Sequence, residues 1–288
     1  MKRSYSNLIF ILLVVLVLGI FTYNFTGLDR GPGEKNLGEL RIHVFDVGQG
    51  DSIFIELAND QKLLIDGASR SQAKTVVDNL RELNVEKIDY LVASHPHEDH
   101  IGGLPEVIRN FDIGRVYMPD IASSTKIFEE LLLEIRDRNI RLEKAEAGFS
   151  ILEDGDLSIR VISPSRRHRS INNNSLVIKL DYKDFSAIFT GDIEYAGERE
   201  LVDRGEDLRA DLLKVSHHGS KTSTDADFLD RVNPSHAIIS LAENNKYGHP
   251  DPEIIDRLRA RNINIYRTDR DGTIIVGTDG STMDIIKK

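Results

Sequence analysis

His95-Pro96-His97-Glu98-Asp99-His100 sets three imidazoles and two carboxylates within six residues, one residue after the apolar stretch Ile88 to Ala93. That stretch reads as a buried strand, so the His-rich run begins where a strand ends. Side chains alternate along an extended chain, which points His95 and His97 to the same side. Asp99 and His100 follow where a helix can start. Two imidazoles at i and i+2, with a carboxylate and a third imidazole just beyond, can supply two adjacent metal positions. Imidazole nitrogen suits zinc, and mixed His and carboxylate sites also suit iron or manganese. The spacing differs from the His-Glu-x-x-His helix signature, in which the two His lie one helical turn apart.

Working outward, further ligands are expected at other strand ends. Thr190-Gly191-Asp192 follows the apolar stretch Phe185 to Phe189, and Asp192 there can bridge two cations. His217-His218-Gly219-Ser220 follows Leu212 to Val215. Adjacent residues of a strand face opposite ways, so one of His217 and His218 is expected to bind metal. His249, in Tyr247-Gly248-His249-Pro250, is a further loop candidate. Asp66 ends the strand Lys62 to Ile65 and can orient a ligating His from behind. His43 lies within a strand and His236 just before one; both read as structural.

The rest of the text alternates strands with helices. Arg41 to Val47, Ser52 to Leu57 and Lys62 to Ile65 read as strands joined by turns. Thr75 to Leu83, Leu104 to Phe111 and Lys126 to Asn139 read as helices, the last with Ile127, Leu131 and Ile135 on one stripe. Arg115 to Met118, Leu157 to Ile162, Ser175 to Asp181, Phe185 to Thr190, Asp211 to Val215 and Ala237 to Leu241 read as strands. Helices are expected over Tyr195 to Asp203, Ala226 to Val232 and Pro252 to Arg261. Strands close the chain at Asn264 to Tyr266 and Thr273 to Val276. Hairpins then helices, twice over, predict two sheets packed face to face with helices outside, rather than one doubly wound sheet. Gly48-Gln49-Gly50 is a turn between strands; no helix follows it, so it is not a dinucleotide fingerprint.

Composition narrows the chemistry. The 288 residues include no Cys, which removes disulfides, thiolate nucleophiles and Cys-ligated zinc or iron–sulfur clusters. With no Trp and 7% aromatics, no stacking platform for single strands is obvious. The formal charge of −10 argues against a general polyanion binder. Residues 1–30 hold three basic residues and one acidic, so residues 31–288 carry −12.

Residues 1–30 read separately. Lys2 and Arg3 precede the unbroken apolar run Leu8 to Phe21. As a helix, Asn7 to Phe25 spans about 28 Å, close to the roughly 30 Å hydrocarbon core. No small-x-small cleavage site follows, so an uncleaved anchor with its basic end inside is expected, ahead of a cleaved signal segment. Either places the domain at 31–288 outside the cytosol, anchored at the cell membrane or secreted. Gly31-Pro32-Gly33 serves as a linker.

His95 to His100 is similar to the H-x-H-x-D-H signature of the metallo-β-lactamase superfamily, and Asp66 and Asp192 match its other acidic motifs. The likeness is nearest to the ComEC branch, the extracellular C-terminal domain of the competence DNA-uptake protein. Shared phrases are Asp46-Val47-Gly48-Gln49-Gly50-Asp51, Leu64-Ile65-Asp66-Gly67, Asn173-Asn174-Ser175-Leu176, Thr190-Gly191-Asp192, His217-His218-Gly219-Ser220-Lys221 and Tyr247-Gly248-His249-Pro250. The resemblance implies a four-layer αβ/βα sandwich with the metal site at the shared edge of the two sheets. It also implies a hydrolase holding one or two divalent ions, zinc or manganese.

The expected ligands are His95, His97, Asp99, His100, Asp192 and His217 or His218. A water held between two such ions loses a proton near neutral pH and becomes the nucleophile. Asp99 is expected to orient it, and His249 to donate to the leaving group. Many superfamily members carry a third His for the first metal. Here the interval offers only His168, beside Asn172-Asn173-Asn174, and a weak Asn oxygen favours manganese or easy exchange. Arg166, Arg167, Arg169 and Lys221 are expected to meet substrate phosphates, with Asn173 and Asn174 also facing substrate. Phosphodiester hydrolysis of nucleic acid or a nucleotide is the preferred expectation. Ester, lactone or β-lactam hydrolysis, and a non-catalytic metal-stabilised interaction domain, are the alternatives.

Overall fold

Strands that are apolar on both faces build this protein. In β1 (Leu40–Val44), β2 (Ile53–Glu56) and β3 (Lys62–Ile65), Ile42, Ile55 and Leu63 turn one way while Phe54 and Leu64 turn the other, and all are buried. Such strands need cover on both sides. The computed structural model, which describes residues 37–288, provides it in four layers.

The first sheet pairs β1, β2 and β3 antiparallel. It then adds β4 (Lys87–Val92), β5 (Asp112–Pro119) and β6 (Arg141–Ala145) in parallel. The chain's last strands, β14 (Ile274–Thr278) and β15 (Met283–Lys287), complete the order β15-β14-β1-β2-β3-β4-β5-β6. The second sheet runs β13-β12-β11-β10-β9-β8-β7. Its members are β7 (Ser150–Asp154), β8 (Leu157–Ser163), β9 (Val177–Tyr182), β10 (Phe185–Phe189), β11 (Leu212–Lys214), β12 (His236–Ile239) and β13 (Asn264–Arg267).

Ile42, Ile55, Leu63 and Ile65 from the first sheet and Val161, Ile178, Leu180 and Phe189 from the second fill the space between them. Outside the first sheet, Phe54, Leu64 and Leu91 meet α1 (Ala73–Glu82), α3 (Leu104–Asn110) and α4 (Lys126–Asp137) through Val76, Leu80, Val107 and Leu131. Outside the second, Ile188, Leu213 and Ala237 meet α5 (Tyr195–Asp203), α6 (Ala226–Val232) and α7 (Pro252–Arg259) through Leu201, Leu229 and Leu258. The short α2 (Glu98–Ile101) lies between α1 and α3 in sequence, and α8 (Thr268–Asp271) follows β13. The two-sheet α/β sandwich with outer helices expected from the sequence is the observed architecture.

Three strands were not anticipated: β6, β7 and β15. Their residues Arg141, Leu142, Glu153 and Lys287 are exposed because each strand closes a sheet edge or lies at one. Edge strands carry polar residues on the open side, which hides the alternation. The N-terminal helix and anchor expected over residues 1–30 lie outside the described residues. Among the described residues, no helix is long and apolar enough to cross a membrane.

Candidate metal centre

β4, β10 and β11 all end at one place, and the loops that follow them carry the His and Asp residues. From β4 the chain enters His95, His97 and α2. The backbone of this loop is fixed by Asp66, which stands in the left-handed region at φ 61. One Asp66 oxygen accepts from the Ser94 amide at 2.7 Å; the other accepts from the Ser94 hydroxyl at 2.6 Å and lies 2.8 Å from His100 Nδ1. Asp66 therefore turns the His100 ring so that Nε2 faces away from it, toward Asp192. Gly50 packs against the same loop. A Cβ there would lie 2.2 Å from the Asp99 carbonyl oxygen, and its φ is +125, so only glycine fits.

Asp192 sits at the centre. Its Oδ2 is 3.2 Å from His100 Nε2, 3.8 Å from His95 Nε2 and 3.8 Å from His217 Nε2. Its Oδ1 is 3.6 Å from His218 Nε2, which is also 3.6 Å from Asp99 Oδ2. His95 Nε2 and His97 Nδ1 are 3.0 Å apart. Three sets of potential ligand atoms result, each within 4.8 Å mutually: Asp99, His100, Asp192 and His218; His95, His97 and Asp192; and Asp51, Asp66 and His100. Asp192 belongs to the first two, while in the third Asp66 already orients His100 from behind.

The donors fit divalent ions. His100 Nε2, His218 Nε2 and Asp192 Oδ1 are buried and have no hydrogen-bond partner. Buried polar atoms are rarely left so, because each costs desolvation free energy. Three converging on one spot describe a cradle for a cation. Nitrogen and carboxylate oxygen without sulfur suit zinc, manganese or iron.

Burial and the carboxylates crowded into the site set the pKa directions of its imidazoles. Burial pushes the His100 imidazole down, but Asp192 and Asp66 outweigh it and hold His100 well above its ordinary value. Burial likewise opposes His218, and Asp192, Asp99 and Asp51 raise it. Burial would raise Asp192 and Asp99, yet the neighbouring imidazoles keep both well below the usual carboxylate range. For His95 and His97 burial dominates and lowers both.

His217 and His218 depart from the strand-alternation expectation. Both adopt left-handed conformations, φ 49 and φ 53, so neither is extended. The turn aims both rings at Asp192 instead of sending one away. Two successive non-glycine residues in this region carry strain that the surrounding structure must hold. The His249 ring lies beside His217, with centroids 5.9 Å apart.

Other expectations change. Asn173 was expected to face substrate; its Oδ1 instead accepts from the Glu194 and Gly197 amides, both at 2.9 Å, and so caps α5. Asn174 accepts from the His168 amide and donates to the Ser170 and His168 carbonyls, bracing its own loop. Neither amide is left for a ligand. In Asn172, by contrast, Oδ1 is buried without a partner. His168 lies 2.8 Å from Glu200, tied to α5 rather than grouped with the metal-facing residues. Arg166 pairs with the same Glu200 and stays 72% exposed. Arg167, Arg169 and Lys221 are exposed.

Sequence reasoning missed Asp51 and Lys214. Lys214 Nζ lies 2.8 Å from Asp51 Oδ2, both almost wholly buried, and Asp51 Oδ1 is 3.6 Å from His218 Nδ1. This ion pair stands directly behind the metal-facing His218 ring. The available signal was a lysine inside the apolar run Leu212 to Val215, since a lysine buried there needs an acidic partner within reach.

A His- and Asp-lined site at the ends of strands from both sheets of an αβ/βα sandwich defines a class of metal-binding proteins. Residues 45–243 match the metallo-beta-lactamase superfamily, and the chain belongs to that superfamily. Within it, the chain is similar to the ComE operon protein 3 of Bacillus subtilis (strain 168). The two are 32% identical over 254 residues, 82% of this chain and 33% of that protein. It is also similar to the competence protein ComA of Neisseria gonorrhoeae, 29% identical over 267 residues, 92% of this chain and 35% of that one. The chain thus spans about a third of the length of these relatives. The resemblance to the competence branch read from shared phrases holds. Among solved structures, zinc-bound PqqB from Methylobacterium extorquens shares the fold, with a TM-score of 0.52 and 8% identity over 79% of this chain and 97% of that one.

Proposed function

We propose that this protein is a divalent-metal-dependent phosphodiesterase or nuclease, held at the membrane by residues 1–30 and acting outside the cytosol. The observation that carries the reading is the convergence of the unpartnered His100 Nε2, His218 Nε2 and Asp192 Oδ1. His95, His97 and Asp192 would hold one ion; Asp99, His100, Asp192 and His218 would hold the other. Zinc and manganese both fit this donor set. Bound there, such ions lower the pKa of a water and neutralise charge developing on a phosphoryl oxygen.

The chain's own residues supply the rest. Asp99 is kept ionised by His218 and His100 and remains 28% exposed at the side chain, so it can orient the attacking water. His249 donates to the leaving group. Arg167, Arg169 and Lys221 offer exposed cations to phosphate oxygens. Similarity to two competence proteins supports a nucleic-acid substrate over an ester or a lactam.

A hydrolase panel tests this reading: a bis-nitrophenyl phosphodiester, single-stranded DNA, a lactone and nitrocefin, each with zinc and with manganese. The expected result is metal-dependent turnover of the two phosphodiesters, lost in Asp99→Asn while the fold is retained. Turnover of the lactone or nitrocefin alone reassigns the site to acyl hydrolysis. Metal binding without turnover of any substrate leaves a metal-stabilised interaction domain.

A further inference from the structure

A groove of about 430 Å³ opens beside the metal centre and reaches Asp99. Its charge is informative. Glu98, Asp99 and Glu243 line it against the single cation Lys246. Leaving out Asp99, which the metal centre uses, Glu98 and Glu243 still outnumber Lys246. Such a groove disfavours a phosphate chain, so the part of a substrate lying here is not its anionic backbone. The remaining lining is rich in amide side chains, including Gln49, Gln72 and Asn244. Amides both donate and accept hydrogen bonds.

Tyr247 completes the groove. It is 53% exposed, the most exposed large hydrophobic residue among those described. His249 backs its ring, with centroids 5.7 Å apart and planes within 17°. The loop that presents it is braced by Asn245, whose Nδ2 donates to the Ala242 and His249 carbonyls at 3.1 and 2.7 Å. Its Oδ1 accepts from the Tyr247 and His249 amides at 3.2 and 3.0 Å. Lys246 Nζ also reaches over the ring, 5.0 Å from its centroid, and this solvent-facing side chain must swing aside for a ligand to stack. A half-exposed aromatic ring on a braced loop and the amides around it together describe a site for a flat, polar, neutral heterocycle. Unstacked nucleobases are read in this way, by stacking and by edge hydrogen bonds.

We propose that the groove is a nucleobase subsite in which a base next to the scissile phosphodiester stacks on Tyr247. This rests on the phosphodiesterase reading above and adds that the substrate is recognised through a base, not through phosphate alone. Stacking on one aromatic ring changes affinity by about tenfold or more.

The test compares a single-stranded oligonucleotide with an abasic oligonucleotide of equal length and charge. Both binding, by fluorescence anisotropy, and cleavage are measured with manganese for the full chain, Tyr247→Ala and Tyr247→Phe. The wild type is expected to favour the base-bearing strand about tenfold in both, Tyr247→Ala to lose that preference, and Tyr247→Phe to keep it. Equal treatment of the two strands by the wild type, or an undiminished preference in Tyr247→Ala, overturns the subsite whatever the cleavage rate. A Tyr247-dependent binding preference without cleavage of either strand supports the subsite and removes only the hydrolase reading.

Discussion

Lys214 and Asp51 show how a single residue pair can support a metal site it never touches. Asp51 faces the back of the His218 ring, and Lys214 offsets its charge. Breaking a buried ion pair by removing one partner typically costs about 3–5 kcal/mol, because the other charge is left uncompensated. Lys214→Met is therefore expected to lower the urea midpoint strongly. Adding Asp51→Asn in the same chain should recover most of the loss, since no buried charge then remains unpaired. A neutral Lys214→Met, or a double variant worse than the single, would show that the pair does not couple in this way.

Residues differ in how far the sequence discloses them. The chemistry of His95, His97, Asp99, His100 and Asp192 is legible because their types and their places at strand ends point the same way. The orientation of His217 and His218 was not, because it depends on two left-handed residues where alternation does not apply. The Asn173 amide was misread because its partners, Glu194 and Gly197, come from a helix start that only the fold brings near.

At the scale of elements, α5 is tied to the loop entering α6 by Glu198. Its carboxylate accepts from the Thr224 and Asp225 amides at 2.5 and 2.8 Å. Burial pushes its pKa up to about 7, against the pull of those amides and of Ser216. Below about pH 4.5 both the folded and the unfolded chain hold this proton. Between there and about 7 the unfolded chain releases it first, so stability falls as pH rises, by about 3 kcal/mol in all for this group. Above that range the penalty is constant. Unfolding free energies at about pH 5 and about pH 8 should fall by more in the wild type than in Glu198→Gln. Equal changes in the two proteins would mean that Glu198 ionises as an ordinary carboxylate.

Elements themselves were readable where both faces are covered. β2 and β3 announce themselves as apolar runs, and α4 as a stripe capped by Thr125, whose hydroxyl accepts from the Phe128 amide. β6 and β15 escaped because, at the two ends of the first sheet, their exposed sides carry charge.

Over the whole molecule, the site exists only because both sheets end at the same edge. The first sheet supplies His95, His97, Asp99 and His100; the second supplies Asp192, His217 and His218. The −12 charge of residues 31–288 also finds a place in this account. A protein so acidic does not hold a polyanion by a broad basic face. In the proposed function, two cations at one point, a few exposed arginines and the groove at Tyr247 would seat a single phosphodiester instead.

The shared role of Asp192 is the centre of that account, and calorimetric titration of the metal-stripped protein with manganese tests it most directly. The wild type should bind two ions per chain, and Asp192→Asn should weaken both sites together while circular dichroism shows the fold intact. Loss of one ion with the other bound at wild-type affinity would contradict a bridging Asp192, and no binding by the wild type would contradict the metal centre itself.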